Sequence, residues 1–276
     1  MRECIMNQVV KEINKAWEIV KIARNANRPS SNYYIKAICD KFVSLNGDRN
    51  LEDDKAVITG MCKIEGISVV IIGISKGENL KENIMRNFGM AKPEGYKKAL
   101  RVMKFAESHR MPIICLVDTP GAYCGVEAEE NGEGMAIANN LLEMSRMRVP
   151  IVSVFVGEGG SGGALGLGVA DKVLMLENAI YSILSPEGFA SILWKDPKRA
   201  EEAADKMRLT AADLKELQVI DEVISEPYGG AHTNKDEAAM IIKNAILKEL
   251  MELMKHNIDE ILEERYKKFR EIGNIW

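Results

Sequence analysis

The most informative stretch of the sequence is Val156-Gly157-Glu158-Gly159-Gly160-Ser161-Gly162-Gly163-Ala164-Leu165. Seven of the 22 glycines in the 276-residue chain lie within twelve residues here, at positions 157, 159, 160, 162, 163, 166 and 168. The apolar run from Pro150 to Val156 predicts a buried strand before them, and a short helix is expected after them. Glycines at such a turn let a ligand or another backbone segment approach the chain closely.

Backbone N–H groups are what this turn offers for binding. The first N–H groups of a helix have no partner within the helix, and they favour an anion or a developing oxyanion. We therefore predict an oxyanion hole formed by Gly162 and Gly163, with Ala164 beside them and Gly159, Gly160 and Ser161 lining the turn. A tight packing turn would also need small residues, but two or three glycines would satisfy that need.

Two motifs that depend on side chains also match the stretch. G-x-G-x-x-G at Gly157, Gly159 and Gly162, with Glu177 further on, is typical of dinucleotide binding. It fits poorly because only about seven residues separate Gly163 from the next strand, whereas a parallel crossover needs about a dozen or more. G-x-S-x-G at Gly159, Ser161 and Gly163 is typical of a serine nucleophile. With His232 as base, a serine hydrolase remains the alternative function.

The flanking sequence indicates an α/β fold. Apolar spacing predicts an N-terminal helix from Val9 to Arg24 and a second helix running to Phe42, and Glu65-Gly66 predicts a β-hairpin. Further on, continuous apolar strands alternate with helices, as in a sheet covered on both faces. One of these helices is expected from about Glu129 to Met147, and the chain after Asn234 is expected to be helical.

Composition excludes several classes of protein. With 46% hydrophobic residues the chain is not disordered, and a net charge of −4 argues against a nucleic-acid binder driven by bulk charge. The five cysteines are odd in number and contain no C-x-x-C, so we expect neither a disulfide framework nor a cysteine zinc site. No apolar stretch is long enough to span a membrane, and no signal peptide is recognisable. The expected location is the cytoplasm.

Two more stretches are candidates for ligand binding. Asp118-Thr119-Pro120-Gly121-Ala122-Tyr123 follows a predicted strand, and ligands of open α/β sheets bind at that end of the strands. Gly121, Ala122 and Tyr123 are therefore candidate substrate-binding residues. Arg86, in Arg86-Asn87-Phe88-Gly89-Met90, could bind a phosphate of coenzyme A or pair with a carboxylate.

Together these stretches resemble the α-subunit family of the carboxyltransferase of bacterial multi-subunit acetyl-CoA carboxylase. The resemblance runs from about Trp17 to His232. The matching segments are Gly47-Asp48-Arg49, Asp53-Asp54-Lys55-Ala56, Arg86 to Met90, Pro93 to Leu100, Asp118 to Tyr123, Gly157 to Leu165, Ser185 to Gly188, Ala190 to Lys195 and Glu226 to His232.

The resemblance implies a crotonase-like (ClpP-like) spiral of ββα units with added N-terminal and C-terminal helices. It divides the chain into an N-terminal helical segment (1–45), a carboxyltransferase domain (46–233) and a C-terminal helical extension (234–276). The implied reaction transfers a carboxyl group from carboxybiotin, held on a biotin carboxyl carrier protein, to acetyl-CoA, which yields malonyl-CoA for fatty acid synthesis. Gly162 and Gly163 would hold the ureido oxygen of biotin.

The family also implies partners. They are a zinc-ribbon β subunit in an α2β2 assembly, the carrier protein and biotin carboxylase, with no metal in this chain and no membrane or nucleic acid. The sequence departs from the usual family pattern at Ile74-Ser75, at Cys124 and at Asn131 to Met135. A divergent paralogue that carboxylates another acyl-CoA is therefore a further alternative.

Overall fold

The computed structural model describes residues 16–274, which build one eight-stranded mixed sheet. The strands are β1 (Lys41–Ser44), β2 (Val57–Ile64), β3 (Ile67–Ile74), β4 (Ile113–Thr119), β5 (Ile151–Gly160), β6 (Lys172–Leu176), β7 (Ile180–Ser182) and β8 (Glu222–Ile224). Their order in the sheet is β1-β2-β3-β4-β5-β6-β8, and β7 pairs with the last residues of β5. Pairing is antiparallel from β1 to β3 and parallel from there on.

Helices cover this sheet on both faces. They are α1 (Ala16–Ala23), α2 (Ser31–Ile38), α3 (Leu80–Met85), α4 (Pro93–Ser108), α5 (Val126–Glu130), α6 (Glu133–Arg146), α7 (Ser161–Leu165), α8 (Pro186–Trp194), α9 (Ala200–Met207), α10 (Ala211–Glu216), α11 (Lys235–Leu253) and α12 (Ile258–Glu271). Short 3₁₀ turns lie at Asn87–Gly89 and Pro197–Arg199. Every residue of β4 is buried, as the continuous apolar run predicts for a strand covered on both faces.

The predicted hairpin is confirmed. Glu65 and Gly66 join β2 to β3 with φ angles of 47° and 81°, the left-handed backbone that a two-residue hairpin turn of type I′ requires. The parallel strands then bring the carboxyl ends of β3, β4 and β5 to one edge of the sheet, which is where the glycine-rich stretch lies.

Three predicted boundaries are wrong. The second helix ends at Ile38, and Phe42 lies in β1, paired with Cys62. The single helix predicted from Glu129 to Met147 is divided into α5 and α6 at Gly132, whose φ of 80° is left-handed. Strand β5 extends through Gly160, so half of the glycine-rich stretch belongs to the strand. The predicted helix from Val9 begins outside the described residues, and the domain boundaries remain predictions.

The expectation about cysteines also needs correction. The structure joins Cys39, which follows α2, to Cys62 of β2 by a disulfide with Cα atoms 5.8 Å apart. The two positions are 23 residues apart and meet because β1 folds back along β2. Cys115 is buried in β4, and Cys124 is exposed. Cys4 lies outside the described residues.

A buried ion pair attaches the last helix to the sheet. Arg265 of α12 is 1% exposed and donates to both carboxylate oxygens of Asp171 at 2.6 and 2.8 Å. Its remaining N–H groups donate to the backbone carbonyls of Met144, in the last turn of α6, and of Met147 and Val149, between α6 and β5. Asp171 in turn accepts from the N–H of Ile151, at the start of β5. The guanidinium is thus fully satisfied and holds α12, α6 and β5 together.

Replacing Arg265 by Leu should therefore lower the free energy of unfolding by about 3–5 kcal/mol, because Asp171 keeps a buried charge without its partner. Urea denaturation of the purified chain measures this. The matched control is Lys267→Leu on the same helix, whose ion pair with Glu263 is largely exposed and should contribute about 1 kcal/mol or less. Equal losses for the two variants would contradict the anchoring role.

Candidate active site

The candidate site lies where β4 and β5 end. The loop from Pro120 to Tyr123 leaves β4 and packs against α7, which begins directly after Gly160. Thr119 shapes this loop, because its hydroxyl accepts from the N–H of Gly121 at 3.0 Å and donates to the carbonyl of the same residue at 2.7 Å. The structure thus brings together nearly all the predicted site residues: Gly121, Ala122, Tyr123, Gly159, Gly160, Ser161, Gly162, Gly163 and Ala164.

Close backbone packing accounts for most of the glycines. A Cβ added at Gly160 would overlap the carbonyl of Pro120, and one added at Gly163 would overlap the backbone of Gly121 and Ala122. Gly157 and Gly159 are similarly enclosed, by the carboxylate of Asp118 and by the ring of Phe155. Packing therefore requires glycine at more positions than the two or three expected for a tight turn.

Gly162 is the exception within the turn. A Cβ built there would meet Ile137 only at 3.8 Å, an ordinary van der Waals distance, and the φ of Gly162 is not left-handed. Neither packing nor backbone conformation requires a glycine at this position. The residue is half-buried in the first turn of α7, where helix geometry leaves N–H groups without partners inside the helix. Because Gly162 has no side chain, the space next to its backbone stays empty.

Ser161 has an uncommon backbone conformation. Its φ is +53°, in the left-handed region, and it is the first residue of α7. The side chain is exposed, and its hydroxyl has no hydrogen bond to another described residue. Ser161 is thus the residue at which the chain turns from β5 into α7. Strain of this kind, about 1–3 kcal/mol per residue, is found mainly at functional sites.

An ion-pair network joins the strand ends beside this turn. The ammonium group of Lys76, after β3, lies 2.6 Å from Oε2 of Glu158 in β5 and 3.2 Å from Oδ1 of Asp118 in β4. Asp118 also accepts from the N–H of Glu158 at 3.1 Å. Burial alone would raise the pKa of Glu158, but Lys76 and Arg24 outweigh burial and lower it. The ends of the three strands are thus linked through the ammonium group of Lys76.

Two arginines extend the network to the N-terminal helices. Arg24 donates to Glu158 and Glu187, both at 2.7 Å. Arg28 forms a bidentate pair with Glu226 at 2.5 and 2.9 Å and also donates to the carbonyl of Val156 in β5. Each of these two guanidinium groups already has a carboxylate partner. They hold the segment after α1 against β5.

A cavity of about 550 Å³ opens at this edge of the sheet. Arg24, Arg28, Lys76, Asp118 and Glu158 line it, together with Pro120 and the exposed ring of Phe88. A smaller recess lies beside it and is lined by Gly159, Gly160 and Ser185. The recess shares Arg24, Pro120 and Glu158 with the cavity. The cavity has the size that small-molecule ligands occupy. Gly159 and Gly160, at the start of the glycine turn, border the recess next to it, whereas Gly162 and Gly163 line neither of the two.

Two of the predicted site residues are engaged in other contacts. The guanidinium of Arg86 donates to the carbonyl of Lys55 at 2.6 Å and so holds the loop before β2. The N–H of Tyr123 donates to the carbonyl of Ala91. Both residues remain predicted ligand contacts.

The geometry does not support a serine hydrolase. No hydrogen bond within residues 16–274 joins Ser161 to a histidine, and His232 lies against Gly230 near Ile22. The nitrogen Nδ1 of His232 is buried and has no partner in this part of the chain. His232 therefore has neither the nucleophile nor an orienting carboxylate that a catalytic base requires.

Comparison with known proteins identifies the family. The family model described as acetyl co-enzyme A carboxylase carboxyltransferase-like matches residues 2–273. The chain belongs to this family. The acetyl-coenzyme A carboxylase carboxyl transferase subunit alpha of Clostridium perfringens (strain ATCC 13124) is 59% identical over 259 residues, which cover 94% of this chain and 96% of the relative. The corresponding protein of Clostridium acetobutylicum is 53% identical and covers 94% of both chains.

Solved structures with the same fold confirm the expected crotonase-like architecture. Transcarboxylase 12S, with methylmalonyl-coenzyme A bound, superposes with a TM-score of 0.61 at 20% identity over 81% of this chain, which spans 44% of that longer chain. A chain of the Pseudomonas malonate decarboxylase heterotetramer in complex with coenzyme A superposes with a TM-score of 0.68 at 15% identity, over 86% and 92% of the two chains. At these identities the likeness establishes the fold alone.

The residues that sequence reasoning missed are the charged ones. Lys76, Glu158 and Arg24 form the network at the site, yet none was a candidate. The available signal was an isolated acid inside the glycine-rich stretch and a lysine directly after a predicted strand.

None of the helices within residues 16–274 is long and apolar enough to cross a membrane.

Replacing Ser161 by Gly should raise the free energy of unfolding by about 1 kcal/mol, because glycine adopts a positive φ without the steric cost that serine bears. Urea denaturation measures the change. Ser161→Ala retains the strain and is the matched control, expected within about 0.5 kcal/mol of the wild type. If the glycine variant is no more stable than the alanine variant, Ser161 is not strained.

Proposed function

We propose that this chain is the α subunit of an acetyl-CoA carboxylase carboxyltransferase and that its glycine turn binds the ureido oxygen of carboxybiotin. The observation that supports this most directly is Gly162, a half-exposed glycine that neither packing nor a positive φ requires, in a turn beside a cavity at the carboxyl ends of the strands. The family match over residues 2–273 supports the activity. The donor would arrive on a biotin carrier protein, and the acceptor would be acetyl-CoA.

The residues fit such a ligand. A neutral ureido oxygen that becomes negative when the carboxyl group leaves requires N–H donors rather than a fixed cation, and the cations of this site already have carboxylate partners. Bound carboxybiotin would supply the carboxyl group that is transferred. The chain's own contribution is to hold the first turn of α7 rigid, with its N–H groups directed at the ligand, and to exclude bulk water through the loop from Pro120 to Tyr123.

The assembly we propose includes a zinc-ribbon β subunit in an α2β2 complex, together with the carrier protein and biotin carboxylase. Relatives that are 53–59% identical are called α subunits, which implies a β partner and a multi-subunit complex. The β subunit would bind acetyl-CoA and stabilise its enolate, since the described residues offer no side chain placed as a general base for that step. We also propose a cytoplasmic location and a role in fatty acid synthesis.

Replacing Gly162 by Ala should lower carboxyl transfer by about tenfold or more while leaving the fold intact. The added methyl group has room within the protein, but it would displace a ligand that approaches the N–H groups of this turn. The measurement is malonyl-CoA-dependent carboxylation of biocytin by the chain reconstituted with its cognate β subunit, with urea denaturation in parallel.

Two matched variants separate function from folding. Gly134→Ala places the same methyl group in open space on α6, so it should leave activity unchanged and raise stability by about 1 kcal/mol or less. Gly163→Ala should destabilise the chain by about 1–3 kcal/mol, because its Cβ overlaps the backbone of Gly121 and Ala122. Full activity of Gly162→Ala would reject the proposed role of the turn. An inactive wild-type complex, with both subunits folded, would reject the proposed enzyme.

A further inference from the structure

A buried acid without a partner lies behind the glycine turn. Glu133 begins α6 and is 4% exposed, and neither Oε1 nor Oε2 has a hydrogen-bond partner among residues 16–274. Oε1 of Glu94, in α4, and Oδ1 of Asn140, further along α6, are also buried without partners in that part of the chain. The interface between α4 and α6 therefore contains several acceptors that lack a donor. An ionised carboxylate is costly to bury in such surroundings.

Glu133 belongs to the helix face that supports α7. One turn later, Ile137 lies 3.8 Å from the Cβ position of Gly162, and the amide of Asn140 donates to the carbonyl of Gly166 at 3.2 Å. From α4, the hydroxyl of Tyr96 donates to the carbonyl of Gly163 at 3.1 Å. Tyr96, Ile137 and Asn140 thus form the wall behind the glycine turn. Burial raises the pKa of the Tyr96 hydroxyl, and the charge of an ionised Glu133 raises it further.

The charged groups around Glu133 favour its neutral form. Burial is the main cause that raises the pKa of Glu133 to about 8. Three carboxylates add to this effect: Asp54 before β2, Glu94 on α4 and Glu129 on α5. Lys97 on α4 opposes them, but its ammonium group donates to the carbonyl of Asn131 rather than to Glu133. The other lysine nearby, Lys98, donates to Asp53 and to the carbonyl of Asp54.

We propose that Glu133 is a positioning residue whose protonated form keeps the wall of Tyr96, Ile137 and Asn140 closed behind the glycine turn. Carboxyl transfer by the assembled enzyme then requires a proton on this buried side chain. Ionisation would place a negative charge in the α4–α6 interface, separate the two helices and move the N–H groups of α7 out of line with their ligand. This inference rests on the proposed function for its effect on activity, but not for the protonation state itself.

The test of activity is a pH profile of biocytin carboxylation by the chain assembled with its β subunit. The wild-type rate should fall on the alkaline side with a midpoint near pH 8, by about tenfold one pH unit above the midpoint. Glu133→Gln keeps the shape and the neutral state at every pH, so its profile should lose this alkaline limb. The matched control Glu130→Gln removes an exposed carboxylate nearby and should keep the limb. An unchanged limb in Glu133→Gln overturns the proposal.

Stability provides a test that does not depend on activity. Glu133 should release its proton near pH 4.5 in the unfolded chain but near pH 8 in the folded one. Between these values the folded state binds more protons, so its stability falls as pH rises, and the loss is complete above about pH 8. The melting temperature of Glu133→Gln should therefore equal that of the wild type below pH 4.5 and exceed it increasingly up to pH 8. Equal melting temperatures at all pH values overturn the proposal.

A spectroscopic measurement on the wild type covers the case in which the variant does not fold. The infrared spectrum at pH 7 should contain the carbonyl band of a protonated carboxyl group that disappears between pH 7 and 9. Absence of that band overturns the proposal even if the enzyme is active. If the band and the melting temperatures behave as expected but the assembled wild-type complex is inactive, the proposed enzyme function fails while the neutral state of Glu133 stands.

Discussion

The close approach of two backbone segments is the constraint on which the rest of the site depends. The chain leaving β4 at Pro120 touches the chain leaving β5 at Gly160, and the contact continues between Ala122 and Gly163. Side chains cannot be accommodated between segments this close, so glycine is required at both positions on the β5 side. Once the contact is made, α7 begins at a fixed distance from the β4 loop, and its first turn faces the edge of the sheet. The register of the parallel pair β4–β5, which shifts between Val117 and Thr119, supports this contact.

The basic residues at this edge of the sheet hold other segments in place and do not provide unpaired positive charge for a ligand. Lys76, Arg24 and Arg28 surround the cavity, yet each is bonded to a carboxylate from another element. Buried pairs of this kind add little net stability, because desolvation offsets most of the attraction, but removing one partner is costly. Their effect is therefore to fix relative positions: three strand ends and the segment after α1 are held in one arrangement. An uncharged ring system can then bind through N–H groups without competing with a free cation.

Local patterns predicted the parts of the structure that depend on neighbours in sequence. The hairpin at Glu65-Gly66, the buried strand β4 and the grouping of Gly121 with Gly162 at one edge of the sheet follow from turn chemistry and from the rule for parallel strands. What could not be predicted depends on partners far away in sequence. Glu158 and Lys76 are 82 residues apart, and only the sheet order brings them together. Glu133 looks like an ordinary acid in the first turn of a helix, and its burial arises from the packing of α6 on α4.

The same distinction explains why the glycine-rich stretch is informative only after each glycine is considered separately. Gly157, Gly159, Gly160 and Gly163 are needed for packing, and a protein without any activity would need them as well. Gly162 has ordinary space around it and an ordinary φ, so the fold alone would accept alanine, which is also the better helix former. A position where the fold gains from a side chain but the sequence has none indicates a demand from outside the chain. For this turn we propose that the demand is the close approach of a ligand to the backbone.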